Sequence, residues 1–223
     1  MKPDGTKSKD RRAYDASRRQ ERARQQREAA LEHARRLFLD QGYVATTVES
    51  IAQAAGVSAA TVYKTYGGKA SLVRELCERA LAGEGPVPAE ARSDALQAAT
   101  DARAVIDGWG TLAAEVSPRI SPLLLLLRTA GETDREADAL HAELDDARLA
   151  RMADNARYLV EGAHLRADIP ADDARDVLWL CTSPELYELL VLRRGWSAPK
   201  FGGFVADTIA GALAVSSGTT SAP

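Results

Sequence analysis

The fold is decided by the segment from Thr46 to Lys69, which reads TTVESIAQAAGVSAATVYKTYGGK. Its first half predicts a short helix, because Thr46-Thr47-Val48-Glu49 fits a capping box that satisfies the free amides at a helix start. Gly56 is suited to the left-handed turn that ends such a helix. Between these points apolar residues recur at helical spacing, at Val48, Ile51, Ala52 and Ala55.

The second half of the segment predicts another short helix directly after a tight turn. Ser58 is placed to cap its N-terminus, and the helix extends from Ala59 to about Tyr66. Gly67-Gly68 interrupts it, and a further helix begins at Lys69. Two short helices joined by Gly-Val-Ser are typical of a helix-turn-helix, whose second helix enters the major groove of DNA.

The charge distribution favours a DNA-facing N-terminal region. The chain of 223 residues has a net charge of −3, but residues 1–84 hold 16 Lys and Arg against 11 Asp and Glu. Residues 85–223 hold 13 against 21. Such asymmetry indicates a nucleic-acid-binding head on an acidic body, and a charged tail that contacts only solvent is the alternative interpretation.

The N-terminal region is expected to form an arm and a domain. Residues 1–16 are polar and lack apolar periodicity, which predicts a disordered basic arm. Ser17-Arg18-Arg19-Gln20 fits a capping box and would open the first helix of a helix-turn-helix DNA-binding domain over residues 17–82. We predict an all-α protein of about nine helices, because helical periodicity also continues beyond this domain.

A linker rich in Gly and Pro, residues 83–88, is the predicted domain boundary. The body that follows is expected over residues 89–215. Within it, Pro118 and Pro122 are expected to separate two helices, because proline lacks the amide that a helix needs. Residues 216–223 are expected to be a flexible tail.

The N-terminal segment resembles the TetR (tetracycline-repressor-like) family of transcriptional regulators over about residues 25–82, and the similarity extends more weakly over 171–213. Tyr66 stands where the family often has Phe. The resemblance implies a homodimeric regulator with a DNA-binding head and an α-helical body that binds a small ligand and dimerises. The residues that carry the resemblance are Thr46–Ala52, Ala55–Ser58, Thr61–Tyr63, Tyr66–Lys69 and the C-terminal stretch SPELYELLVLRRGW from Ser183 to Trp196.

The second helix of the motif begins with two small residues, Ala59 and Ala60, so its backbone could approach the bases closely and a methyl group could contact thymine. Lys64 could donate to the acceptor edge of guanine, and Tyr63 could bond the sugar-phosphate backbone. For Tyr63 and Tyr66 the alternative is packing in the core. The residues expected to face the bases are Ala59, Ala60, Thr61, Tyr63, Lys64 and Thr65.

Phosphate contacts are expected beside helix N-termini, where backbone amides favour an anion. We assign them to Thr47, Ser58 and Lys69. Because the reading helix begins with two residues that lack polar groups, we expect basic residues of the arm to add minor-groove or phosphate contacts. These are Lys7, Lys9, Arg11, Arg12, Arg18 and Arg19.

The body is expected to supply a small-molecule pocket and a dimer interface. The candidate pocket residues are mostly apolar, with few polar groups to orient a ligand: Trp109, Leu124, Arg128, Met152, Tyr158 and Trp179. A surface salt bridge is the alternative role for Arg128. The candidate interface residues lie on the last helices, where an intramolecular core is the alternative: Tyr187, Leu190, Trp196, Phe201 and Phe204.

No sequence feature indicates catalysis. The three histidines lie far apart, the two cysteines Cys77 and Cys181 have no metal-site spacing, and Asp145-Asp146 suggests a solvated helix face. No metal or cofactor is therefore expected. The longest apolar run, Leu123–Leu127, is too short to cross a membrane, and a cytoplasmic location is expected.

The sequence thus predicts a sequence-specific DNA-binding regulator, a repressor that a small-molecule effector releases from a palindromic operator. One alternative is a helical DNA-binding regulator without such an effector. The other is a helical ligand-binding or lipid-carrier protein that does not bind DNA.

Overall fold

The computed structural model describes residues 6–83, 85–98 and 101–213, except for the side chains of residues 6–16 and 19. This part of the chain contains ten α-helices, one π-helical segment and no β-strand, which confirms the all-α prediction. It divides into two compact units, one ending at Leu76 and the other beginning at Cys77. The predicted tail at 216–223 lies outside the described residues.

The first unit is built from three helices and the start of a fourth. Their bounds are α1 Thr6–Gln41, α2 Val48–Ala55, α3 Ala59–Tyr66 and α4 Lys69–Ala82. α1 packs against both α2 and α3. The unit has its own apolar core, which includes Leu31, Ala34, Phe38, Ile51, Val62 and Leu72, each at most 2% exposed.

The first helix begins much earlier than the sequence predicted. α1 includes residues 6–16, which we expected to be disordered, and Ser17 lies inside the helix and not at its N-cap. The physical reason is that extending an existing helix adds a hydrogen bond per residue without a new nucleation cost. The segment contains Lys, Arg and Ala, which favour helix. Residues 1–5 lie outside the description.

The cap of α2 is shifted by one residue from the predicted capping box. Thr47 is the N-cap and pairs reciprocally with Ser50, whose amide donates to Thr47 Oγ1 at 3.0 Å. Thr46 is fully buried, and its hydroxyl donates to the carbonyl oxygens of Gly42 at 2.8 Å and Leu37 at 3.1 Å. Thr46 therefore satisfies carbonyl groups near the end of α1, which the local pattern alone did not reveal.

The turn between α2 and α3 has the predicted geometry. Gly56 adopts a left-handed conformation with φ of 66°, and its amide bonds back to α2. Ser58 caps α3, since its side chain accepts a hydrogen bond from the amide of Thr61 at 3.1 Å. These two residues fix the direction in which α3 leaves the turn.

The second unit starts at Cys77, within α4 and before the predicted linker at residues 83–88. It also contains a π-helical segment, Glu188–Arg193. None of the helices in the described ranges is both long and apolar enough to span a bilayer. The α-helices are α5 Ala89–Leu96, α6 Ala102–Gly131, α7 Arg135–Glu161, α8 Ala171–Cys181, α9 Pro184–Tyr187 and α10 Ala198–Leu213.

The predicted break at Pro118 and Pro122 is wrong, because α6 continues through both residues. Each proline removes one helical hydrogen bond, because it has no amide to donate to the carbonyl four residues earlier. For Pro122 that carbonyl belongs to Pro118, so the two missing bonds are adjacent along the helix. Both defects therefore lie on one face of α6. Burial of the surrounding turns, with Ser117, Ser121 and Leu123 each at most 7% exposed, stabilises the helix against this local loss.

α6 and α10 pack closely because glycines meet at their crossing. A Cβ atom added at Gly110 would lie 2.5 Å from the carbonyl oxygen of Gly202. Around this crossing the unit encloses a core to which α6, α7, α8 and α10 contribute, including Ile106, Leu159, Leu178 and Val205.

Candidate nucleic-acid interface and effector cleft

α3 is anchored by one face and exposes the other. Val62 is 1% exposed and packs in the core of the first unit. The hydroxyl of Tyr66 donates to the carbonyl of Arg27 on α1 at 2.9 Å, which agrees with the packing alternative for this residue. A helix turns by about 100° per residue, so Ala60 and Lys64 occupy the opposite, solvent-facing side.

The exposed face of α3 has the composition of a helix that can enter a groove. Ala60 and Lys64 are exposed and one turn apart, and Tyr63 is 48% exposed, which rules out core packing for it in this structure. Among the described residues Lys64 has no hydrogen bond or ion pair. Its ammonium group is thus available to an acceptor on DNA, while Ala60 leaves room for the helix backbone to approach.

The other predicted base-facing residues lie at the flanks of this surface. Ala59 is only half-exposed. Thr61 and Thr65 are exposed, but they line a shallow groove of about 120 Å³ between α3 and α1. The hydroxyl of Thr65 donates to the carbonyl of Thr61 at 2.8 Å, so part of its hydrogen-bonding capacity is used within the helix. The central part of the exposed α3 surface therefore contains fewer residues than the set that was predicted to face the bases.

The three predicted phosphate residues all lie at helix starts, but each of them already has structural bonds. Thr47 and Ser58 are exposed N-caps whose side chains accept backbone amides. Lys69 donates to the carbonyl of Tyr43 at 3.1 Å, and its ammonium lies 4.4 Å from the centre of the Tyr43 ring. Lys69 is half-buried and holds the start of α4 against the end of α1.

The basic arm residues are only partly described. Arg18 is exposed on α1, whereas the side chains of Lys7, Lys9, Arg11, Arg12 and Arg19 lie outside the described part. Sequence reasoning missed Gln26 and Arg27, which line the groove beside α3. On α1, Gln26 lies about one helical turn after Ala23, and Arg27 lies about one turn before Ala30. This spacing could have indicated from the sequence that these residues line the same groove.

Two of the predicted dimer-interface residues belong to the core of the single chain. Tyr187 is 4% exposed and Phe201 is fully buried, and their rings meet edge to face at 5.4 Å. They were assigned to the interface because the sequence cannot show which apolar face of a helix is covered. Leu190 and Trp196 are half-buried, and Phe204 is exposed against Trp196 at 5.5 Å between ring centres.

The predicted pocket residues do not form one site. Trp109 and Met152 are buried in the core of the second unit, and Tyr158 packs against that core with its ring 6.2 Å from Trp109. Arg128 takes the alternative role: it is 42% exposed and donates to Glu185 at 2.7 Å. Its second, longer contact is with Glu188 at 3.5 Å.

Leu124 and Trp179 do meet, at a cleft of about 130 Å³ in the second unit. Leu124 lies on α6 and Trp179 on α8, and Pro184 of α9 completes an apolar wall. The polar lining was missed by sequence reasoning: His141, Asp145, Arg148 and Glu185. His141, Asp145 and Arg148 recur at i, i+4 and i+7 on α7, and this spacing could have indicated that they share one face of the helix.

Burial and ion pairing change the pKa of several groups in this unit, including Cys181 and Glu188. Burial raises the pKa of the Cys181 thiol to about 11, so this cysteine stays a neutral thiol at physiological pH. The pKa of Glu188 is lowered, chiefly by its hydrogen bond with Arg193 and further by Arg128. Within the described ranges, no three His, Cys, Asp or Glu side chains are grouped as a metal site.

Comparison with known proteins relates part of the first unit to a family and most of the chain to a fold. Residues 30–76 match the family model described as bacterial regulatory proteins, tetR family. A comparison with curated proteins found no match. The family match covers the helix-turn-helix and confirms the resemblance found in the sequence.

Solved structures match most of the chain. NalD from Pseudomonas aeruginosa, described as the secondary repressor of the MexAB-OprM multidrug efflux pump, is 20% identical with a TM-score of 0.70 over 88% of this chain and 99% of that one. A SmeT–triclosan complex is 18% identical with a TM-score of 0.65, covering 89% and 98%. PfmR from Thermus thermophilus, described as a TetR family transcriptional regulator, is 21% identical with a TM-score of 0.60, covering 83% and 99%. At these identities the likeness establishes the fold.

Proposed function

Because residues 30–76 match the tetR family model of bacterial regulatory proteins, we propose that this chain is a DNA-binding transcriptional regulator, a repressor that a small-molecule effector releases from its operator. The observation that carries the proposal is the exposed face of α3. Val62 holds this helix in the core while Lys64 and Tyr63 project into solvent, which is the arrangement that a recognition helix requires.

The roles of the exposed residues follow from their chemistry. Lys64 lies in the centre of the exposed face and reads a base edge, because its ammonium has no other acceptor in the described chain. Ala60, one turn earlier, brings the helix close enough for that contact. Tyr63 lies at the flank and donates to the sugar-phosphate backbone. Ser58 and Thr47 present helix N-termini, whose amides favour phosphate.

The protein acts as a homodimer on a palindromic operator. Four large apolar side chains remain exposed on the last helices of the second unit: Leu180 at 58%, Leu189 at 50%, Leu192 at 53% and Phe204 at 37%. A second copy of the chain would cover them. Two-fold symmetry then presents one α3 to each half-site, and the half-sites lie about one helical turn of DNA, or a multiple of it, apart.

Release by an effector requires that the ligand bind the DNA-incompetent form more tightly than the DNA-bound form. Two fold relatives support this part of the proposal. SmeT is described in complex with triclosan, and NalD is described as a repressor of an efflux pump. The cleft lined by Leu124 and Trp179 is where the second unit of this chain could hold such a molecule.

Footprinting of the DNA that flanks the protein's own gene tests the proposal. We expect a protected site with two-fold sequence symmetry. The double variant Tyr63→Ala/Lys64→Ala should abolish protection while keeping the helical circular dichroism spectrum, because both side chains are exposed. Glu49→Ala, an exposed change on α2, serves as the folded control. Binding to every DNA fragment alike, with no protected site, would contradict a sequence-specific regulator.

A further inference from the structure

The cleft in the second unit exists because the helix that carries Trp179 stops abruptly. α8 ends at Cys181 and α9 restarts at Pro184, which has no amide to continue the helical ladder. The amide of Ser183 bonds to the carbonyl of Leu180 at 3.1 Å, so it does not reach the carbonyl of Trp179. That carbonyl oxygen instead accepts from Arg148 Nη1 at 2.5 Å.

Arg148 lines the cleft, and its guanidinium charge is balanced there by Asp145. Its Nη2 atom donates to Asp145 Oδ1 at 2.6 Å, and its guanidinium lies 4.6 Å from the centre of the Trp179 ring. Only 14% of its side chain is exposed. The structure thus already holds one organic cation against an aromatic ring, a carboxylate and a carbonyl, which is an arrangement with intrinsic affinity for cations.

The two carboxylates of the cleft are, in contrast, open to solvent. Asp145 is 38% exposed and Glu185 is 44% exposed. Each uses a single oxygen in the ion pairs of the described residues, Oδ1 towards Arg148 and Oε1 towards Arg128. The second oxygen of each carboxylate can accept further hydrogen bonds. A molecule that enters the cleft therefore meets carboxylate oxygens that can accept further hydrogen bonds, beside the apolar surfaces of Leu124 and Pro184.

We propose that this cleft is the effector site and that it binds a small organic cation, an amine or quaternary ammonium group attached to one apolar ring. The inference rests on the proposed function for its regulatory meaning. The cleft volume of about 130 Å³ is of the order that accommodates a single ring. The ring lies against Leu124, Pro184 and Trp179, and the cationic group lies between Asp145 and Glu185.

Calorimetric titration of the full-length protein tests the chemistry of the site directly. The probe is benzyltrimethylammonium, and benzoate is the matched control because it has one ring and the opposite charge. We expect the cation to bind with a Kd below about 1 mM, and benzoate to give no binding heat. Binding of benzoate in preference to the cation, or no binding of the cation, would overturn the inference.

A pair of variants separates the cleft from its surroundings. Glu185→Gln removes a cleft carboxylate and should weaken cation binding about tenfold. Glu188→Gln also removes a partner of Arg128, but Glu188 does not line the cleft, so cation affinity should not change. Equal affinities for the two variants, both with unchanged thermal unfolding, would show that Glu185 is not a ligand.

Adding the cation to the footprinting experiment tests the regulatory meaning and keeps the two proposals distinguishable. Loss of protection on adding benzyltrimethylammonium supports an effector site. Intact DNA binding without cation binding overturns only the inference about the cleft. Cation binding without any protected DNA site overturns the proposed function, and with it the effector role, but leaves the chemistry of the cleft.

Discussion

Lys64 and Lys69 are close in sequence and equally basic, yet the structure gives their ammonium groups different surroundings. Lys64 projects from the exposed face of α3 without a partner in the described chain. Lys69 is half-buried, bonds the carbonyl of Tyr43 and lies over its ring. The ammonium group of Lys64 is therefore available to contact a DNA base. Lys69 mainly holds the end of α1 against the start of α4.

Replacing each lysine by alanine should separate these roles. Lys64→Ala is expected to cost about 1–3 kcal/mol of binding at one operator position and to relax base preference there. Lys69→Ala should weaken binding to all sequences alike and lower the melting temperature, because the bond to Tyr43 is removed. Fluorescence anisotropy with the operator and its single-base variants measures both effects.

The corresponding control is an operator in which the base pair read by Lys64 has been changed. Lys64→Ala and the wild type should bind this altered DNA with similar affinity. If the two alanine variants lose the same affinity on every sequence, the base-reading role of Lys64 is wrong.

At the scale of helices, the contact between α6 and α10 depends on the absence of side chains at one point. Gly110 and Gly202 face each other across the crossing, where a Cβ at Gly110 would lie 2.5 Å from a backbone oxygen and 2.8 Å from the Cβ of Ala206. Backbone atoms cannot move aside as a flexible side chain can. The two helices would have to separate, which disturbs the core that they share.

Gly110→Ala should therefore destabilise the protein by about 1–3 kcal/mol, the usual cost of overpacking, in spite of the better helix propensity of alanine. Gly203→Ala is the matched control, since it is helical, lies next to Gly202 and has nothing within 4 Å of the added Cβ. That variant should gain up to about 1 kcal/mol. Urea unfolding measures both, and equal stability of the two variants would contradict the close crossing.

The N-terminal extension of α1 is the other element with a testable role. Residues 1–16 include five Lys and Arg against three Asp. We expect that deleting them reduces operator affinity at low salt. The dependence of log affinity on log salt should flatten by about 0.9 for each phosphate that the shortened protein no longer neutralises. Filter binding at several salt concentrations measures the slope.

Deletion of residues 216–223 is the control for this truncation, because that segment carries no charged side chain. It should leave both affinity and salt slope unchanged. An unchanged slope after removal of residues 1–16 would show that the basic extension does not contact DNA.

At the scale of the whole molecule, the proposed function depends on a second copy of the chain. The exposed residues Leu189 and Leu192 lie on the π-helical segment, and Phe204 lies on α10. Large apolar side chains grouped on consecutive elements are typical of a surface that another protein covers. This surface differs from the predicted one, because Tyr187 and Phe201 are inside the chain.

Leu192→Glu should convert the proposed dimer into a monomer, since a charge would be buried in an apolar interface without a partner. Leu81→Glu, at an exposed leucine of α4, is the matched control and should remain dimeric. Sedimentation velocity measures the mass of each variant. A dimer of Leu192→Glu with wild-type stability would exclude this face as the interface.

Local sequence patterns determined the helical architecture and the helix-turn-helix. These features depend on interactions over about four residues: the helical periodicity, the turn at Gly56 and the cap at Ser58. They can therefore be predicted from the local sequence without knowledge of the rest of the chain. The same information placed Lys64 on the side that faces DNA, whereas only the structure decided that Tyr63 is exposed and that Val62 forms the inner face of the helix.

Tertiary structure alone decided the features that depend on residues far apart in sequence. Burial in the core keeps α6 continuous through Pro118, and packing within the chain encloses Tyr187 and Phe201. The cleft combines Leu124, Asp145 and Glu185 from three helices, whose side chains converge only after the second unit has folded. The physical reason is that hydrogen bonds and caps within one helix are set by neighbours in sequence, whereas burial and the pairing of charges are set by neighbours in space.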